Sequence, residues 1–152
     1  LRYGEPSSAD ESAWDHPFQW GSKRTGPDLA RVGVKYPNVW HFKHMADPRS
    51  VSPRSIMPAY AWLADRKVDL TQTQGKVSAM KSLGVPYADS DVAAAAERAR
   101  AQGAEVAVDL RAQGVEVGPD SEMVALIAYL QRLGKPQPLR PGGVPVAMEK
   151  DK

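Results

Sequence analysis

The placement of proline and glycine constrains this chain more than any other feature. Gly4, Pro6, Pro17, Gly21, Gly26, Pro27, Gly33 and Pro37 interrupt residues 1–37 at intervals too short for a long element. Further on, the breakers stand farther apart, and the stretches between them carry helical patterns with no convincing alternation for strands. Residues 38–46 read as a short helix, with Asn38 as N-cap and Pro48 closing it just beyond Asp47. Asp69 or Thr71 caps a second helix that runs to about Ser82, with Gly84 at the C′ position and Pro86 beyond it. Residues 90–113 form the longest pattern, opened by Asp89 or Ser90 and carried by the helix formers Ala93 to Ala96. It contains an internal echo, Arg-Ala-Gln-Gly-x-Glu-Val, beginning at Arg100 and again at Arg111. That offset is close to three helical turns, so the pattern reads as a surface helix with both copies facing the same way. After Pro119, Asp120 or Ser121 caps a last helix. Its Met123, Val124, Ile127, Ala128, Leu130 and Leu133 make a broad apolar face, Tyr129 lies beside it, and Gly134 ends it. The expectation is an all-α domain of about four helices with long loops over residues 1–134, then a disordered Pro/Gly-rich tail over 135–152. Long loops in a compact domain need a reason, and a buried cofactor is a common one.

Composition removes several classes of function. At 152 residues the chain is long enough for one domain with a real core. A net charge of +2 lends no support to a nucleic-acid or membrane-surface role. No apolar run approaches the ~18 residues of a membrane span. The chain begins at Leu1 and shows no signal-peptide pattern, so a fragment or a processed form is expected. Cysteine is absent, which removes disulfides, thiolate metal sites and thiol catalysis together. No nucleophile–base pair or paired carboxylates stand out, so the chain reads as a non-enzyme.

Met57 is the leading candidate for chemistry. It sits in Ser-Pro-Arg-Ser-Ile-Met-Pro, with Pro53 and Pro58 nearby, in a polar loop where an apolar side chain is out of place. Pro58 pushes Met57 towards extended backbone, so Met57 cannot lie inside a helix. A thioether there either fills a core gap or serves as a soft metal ligand. Trp14, Phe18 and Trp20 lie among turns, packed on a loop-covered core or wrapped on a planar cofactor. The turn from Lys23 and Arg24 to Leu29 suits a carboxylate or phosphate, or plain solvent. His41 and His44 are three apart on one helical face. A zinc site there would need further ligands, with His16 the sole other histidine. Packing of Trp40, His41, His44 and Met45, with hydrogen bonds at the rim, is the expectation.

These residues carry a resemblance. Tyr3-Gly-Glu5, the run Asp15 to Leu29, Lys35-Tyr-Pro37, Trp40-His41, His44-Met45, Asp47-Pro-Arg-Ser50 and Ser55-Ile-Met-Pro58 closely resemble the mono-haem cytochrome c subunit, FixO/CcoO, of the cbb-type haem–copper oxidases. The final helix, Glu122 to Gly134, is similar to the C-terminal helix of that subunit and of class I cytochromes c generally. The resemblance spans about residues 1 to 134 and implies a class I cytochrome c-like domain. It implies a periplasmic domain on a bacterial inner-membrane anchor, relaying electrons from a di-haem cytochrome c subunit to the oxygen-reducing catalytic subunit. It implies haem c as cofactor, Met57 as an axial ligand of its iron, and Trp20 and Arg24 near the haem edge and propionates. The departure is the attachment motif Cys-x-x-Cys-His, which this chain lacks. In the family that motif precedes the Tyr-Gly-Glu segment, so the chain is expected to start downstream of it, without the N-terminal anchor, and to bind no covalent haem; a substitute ligand would need His41 or His44 to turn inward. The alternative is a haem-less relative that keeps the fold as a docking or assembly domain.

Overall fold

A computed structural model describes residues 5–15, 17, 20 and 26–134. The Arg24 and His16 expectations, and the tail over 135–152, lie outside the described residues. Six α-helices stand among the described residues: α1 Asn38–Ala46, α2 Pro48–Val51, α3 Thr73–Ser82, α4 Asp89–Ala93, α5 Ala95–Ala112 and α6 Glu122–Arg132. Two single 3₁₀ turns, Ala9–Ser12 and Ala61–Ala64, complete the helical content. The fold is all-α with long connections. One isolated antiparallel bridge, Lys67 to Ser121, is the β-type pairing among the described residues.

The core forms where α5 and α6 meet. Met123, Val124, Ile127, Ala128 and Leu130 of α6 are buried, at the spacings of one helical face. Val106 and Leu110 of α5 close against them, and Val39, Phe42 and Met45 of α1 pack on from the side. Each fully buried aliphatic side chain contributes about 1.5–3 kcal/mol of transfer free energy, so this seam dominates the stability of the domain. Ser121 caps α6 as expected: its Oγ accepts from the Val124 N–H at 3.2 Å. The strand-like bonds from Val68 N–H to the Asp120 carbonyl (2.9 Å) and from Glu122 N–H to the Arg66 carbonyl (2.8 Å) lock the entry to this helix.

At the other end of α6, Gln131 fastens the turn that leads into α1. Its side-chain amide donates to the Tyr36 carbonyl and to Asn38 Oδ1, and its Oε1 accepts from Val34 N–H. Those bonds hold Val34 at φ 58°, a left-handed conformation rare for a β-branched residue.

Several expectations need correction. Asn38 is the first residue of α1 and Pro37 is its N-cap. Pro48 does not merely stop α1; it starts α2. The Asp47 carboxylate accepts from Arg49 N–H, and Pro48, which has no N–H to lose, takes the first helical position. The 90–113 pattern is two helices, broken at Ala94, with α4 capped by Asp91 Oδ2 accepting from Ala88 N–H. Nor is α5 a surface helix, since Gly103, Val106, Ala107 and Leu110 are buried. The two copies of the echo therefore differ. Gly103 lies inside α5 against the Pro119 carbonyl, whereas Gly114 sits at φ 79° just past its end. There Gly114 N–H bonds the Arg111 carbonyl and Val115 N–H the Leu110 carbonyl, the paired closure of a Schellman turn. Gly84 closes α3 in the same way, as expected.

Candidate functional site: the Met57 loop and the histidines of α1

The polypeptide leaves α2 at Ser52, whose N–H bonds the Pro48 carbonyl, and returns to α1 at Tyr60. Tyr60 N–H donates to the Met45 carbonyl at 2.7 Å, one of the last carbonyls of α1 and so lacking a helical partner. Between these anchors, Ser55 N–H closes a turn on the Ser52 carbonyl, and Ser55 Oγ accepts from Met57 N–H at 3.2 Å. Pro53 and Pro58 stiffen the loop. Met57 is half-buried, while its neighbour Ile56 is 89% exposed. Two fixed ends, two prolines and a serine bond thus hold the backbone of the Met57 loop in place.

The face of α1 turned away from the α5–α6 seam carries an aromatic stack. Tyr36 lies on Trp40 with centroids 4.0 Å apart, and Trp40 lies on His44 at 4.7 Å. His41 meets the edges of both larger rings, 6.1 Å from Tyr36 and 5.4 Å from Trp40. Helical spacing puts residues 40, 41 and 44 together, and Tyr36 joins from the preceding turn. His41 is only 2% exposed. The expected hydrogen bonds at the rim are not made: His41 Nε2 and His44 Nδ1 are buried without a partner. Burial holds the His41 imidazole below its usual pKa, with His44 beside it adding to the effect, and burial lowers His44 as well. Both rings are therefore neutral near pH 7, the state that offers a nitrogen lone pair to a metal.

Trp20 sits elsewhere in the bonding pattern. It is 46% exposed, and its indole N–H donates to the Ser7 carbonyl at 2.9 Å. Ser7 in turn donates its N–H and Oγ to Asp28, so this indole belongs to a network that ties the amino-terminal segment to the 26–30 turn. A groove of about 680 Å³ opens between the 34–38 turn, α5 and α6, lined by Lys35, Asn38, Glu105, Asp109 and Arg132, without Met57 or the two histidines. Among the described residues, no three His, Cys, Asp or Glu side chains gather into a metal site, and no helix is long and apolar enough to cross a membrane. The stacking of Tyr36 on Trp40 and the missing hydrogen bond of His41 are what sequence reasoning missed. The spacing of Trp40, His41 and His44 was the signal available for them.

Residues 1–136 match the family described as Cytochrome C oxidase, mono-heme subunit/FixO. The chain belongs to that family. No curated protein matches it. As a FixO-family chain it is a cytochrome-type subunit of a cytochrome c oxidase complex, whose family cofactor is one haem. The residues present fit that group in one respect and not in another. The thioether of Met57 and the unpartnered imidazole nitrogens of His41 and His44 are donors that haem iron takes as axial ligands. The covalent anchors do not fit: the 152 residues contain no cysteine, so none can form the thioether links that fasten haem c.

Proposed function

We propose that this chain is the electron-relay domain of a cbb-type terminal oxidase, with Met57 as an axial ligand to the haem iron. In this reading it passes electrons from a di-haem cytochrome c subunit towards the catalytic subunit, on the periplasmic side of a bacterial inner membrane. It performs no bond chemistry of its own. Trp20 and Arg24 are assigned to the haem edge and propionates by family resemblance alone. The observation that supports the proposal is the Met57 loop, whose backbone is held by bonds at Ser52, Ser55 and Tyr60.

When bound, haem supplies a one-electron iron couple. The residues of this chain then have three tasks. Met57 would offer a soft sulfur, the ligand type that raises the potential of a haem iron. The loop anchors order the backbone at Met57 in advance, which would lower the ordering cost of ligation. Tyr36, Trp40 and His44 form a stacked wall of rings on α1.

The second reading is a haem-less member that serves as a docking or assembly domain. Both readings hold that this chain retains no covalent haem. Denaturing extraction of the purified chain should therefore leave no haem on the polypeptide, and haem that survives extraction would refute that statement. A haemin titration followed by visible absorption, with imidazole added to supply a nitrogen ligand, separates the two. Under the relay reading, wild-type protein gives the spectrum of thioether–imidazole ligation and Met57→Ala does not. Identical spectra for the two proteins would overturn Met57 as ligand and leave the docking reading.

A further inference from the structure

Trp14 is 48% exposed, although the segment that carries it is fastened at several points. Glu11 and Arg31 meet in two side-chain bonds, and Ser7 donates its N–H and Oγ to Asp28. Beyond the 3₁₀ turn Ala9–Ser12, the Trp14 ring rests on Gly84, where an added Cβ would stand 3.4 Å from Cζ3. Gly84, at φ 98°, closes α3 in a left-handed turn and leaves room for the ring. Its neighbour Leu83 is 56% exposed, and Tyr87 is exposed on the same short connection into α4. That connection is held as well. Val85 N–H bonds the Met80 carbonyl, Tyr87 N–H bonds the Val85 carbonyl, and Lys81 pairs with Asp89.

A single exposed apolar side chain calls for no explanation. Here a tryptophan and the Leu83–Tyr87 connection come together from distant parts of the chain, fixed by backbone and side-chain bonds yet open to water. Tryptophan and tyrosine are enriched among the residues that anchor protein interfaces, and an anchor ordered in advance loses less entropy on binding.

The charges beside this surface have one prevailing sign. Residues 5–15 hold Glu5, Asp10, Glu11 and Asp15 and no Lys or Arg, against the one Arg31 that pairs with Glu11. Lys81 and Asp89, on the other side, offset each other. A negative rim repels nucleic acid and anionic lipid alike. It attracts a protein face on which Lys and Arg surround an apolar side chain.

We propose that the Trp14–Leu83–Tyr87 surface is where another protein subunit of the oxidase docks, through an apolar side chain ringed by lysine and arginine. This rests on membership of an oxidase complex, common to the relay and docking readings, and not on Met57 as a ligand.

The test measures binding of the full chain to the remaining oxidase subunits, purified without it and immobilised, at low and at high salt. The variants are Trp14→Ala, Trp14→Phe, Leu83→Ser, Asp10→Lys and Met57→Ala, with Val108→Ser on α5 as an exposed apolar control. Circular dichroism reports whether each folds. Trp14→Ala should bind at least about tenfold more weakly, and Trp14→Phe less weakly than that. Leu83→Ser should also weaken binding, and Asp10→Lys should weaken it and flatten its salt dependence. Val108→Ser and Met57→Ala should bind as wild type. Folded Trp14→Ala and Leu83→Ser that bind as wild type would overturn the proposal, as would a wild type that does not bind. If Met57→Ala alone loses binding, the contact lies at the Met57 loop and this surface is not the docking site. Sedimentation of the chain by itself covers the remaining occupant: self-association abolished by Trp14→Ala would make the partner a second copy and overturn the assignment to another subunit.

Discussion

Gly103→Ala tests how the core seam is built. Gly103 lies inside α5, where alanine would ordinarily be the better residue by about 0.8–1.0 kcal/mol. Its backbone, however, faces the turn that leads into α6. A Cβ there would overlap the Pro119 carbonyl oxygen, well under 3.0 Å away, and would stand 3.5 Å from its carbon and 3.8 Å from Val124 Cγ1. That carbonyl cannot easily give way. Val68 N–H grips the next carbonyl, Asp120; Ser121 N–H bonds Gly118; and the Ser121 hydroxyl caps Val124. Forcing a methyl into such a site costs about 1–3 kcal/mol, and the fixed backbone places this case in the upper half of the range. After subtracting the propensity gain, the variant should be less stable by about 1–2 kcal/mol, a fall of about 3–8 °C in Tm for a chain of this size. Gly75→Ala is the control. Gly75 lies in α3 with nothing within 4 Å of an added Cβ, so the same change there should stabilise by about 0.5–1 kcal/mol. Thermal melts by circular dichroism read both. If Gly103→Ala melts with or above wild type, the close approach of α5 to the Pro119 turn is wrong.

The neutral state of the buried histidines makes stability depend on pH. His41 and His44 have folded pKa values below the ordinary 6.5, so below that value the unfolded chain binds more protons than the folded one. Stability should fall as pH drops through about 6.5 towards the folded values; denaturant melts at several pH values check this, and His41→Phe should flatten the slope. Asp91 is a buried carboxylate that receives Ala88 N–H and pairs with Arg98 across the break between α4 and α5. Asp91→Ala should cost about 1–2 kcal/mol, with Asp91→Asn in between because it keeps the capping oxygen; a denaturant midpoint unchanged in both variants would refute the role. Hydrogen exchange should be slowest in α5 and α6 and faster in the 52–60 loop, and haemin should slow that loop and α1 selectively; equal protection of the loop and α6 before haemin is added would contradict it.

The parts of the fold legible in the sequence were those set by local chemistry. Ser121 ahead of an apolar 3.6-residue pattern specifies the start and the face of α6, and Gly84 before Pro86 specifies the end of α3. The parts that were not legible depend on what lies across from a residue. Ala93 to Ala96 favour helix at every position, yet the helix breaks at Ala94, between an α4 and an α5 that each pack on α3. The two Arg-Ala-Gln-Gly copies are identical through four residues. One glycine is needed for close contact with Pro119 and the other for a left-handed turn, a distinction set by neighbours and not by the echo itself.

The candidate site divides along the same line. Met57 stands out in sequence because two prolines and a polar loop surround it, and backbone bonds at Ser52, Ser55 and Tyr60 hold it in place. His41 was visible as half of a pair three residues apart, packed on one face with Trp40 and Met45. A hydrogen bond at the rim was the reasonable expectation for it, since most buried imidazoles have one. Its significance comes from a missing partner, which is a property of everything that covers α1 and of nothing next to it in the chain. A loop can hold a ligand by rules written in a few residues, whereas an unsatisfied nitrogen exists only once the tertiary structure has closed over it. With no cysteine in the chain to fasten a haem, the Met57 thioether is the residue-level question on which the relay and docking readings divide.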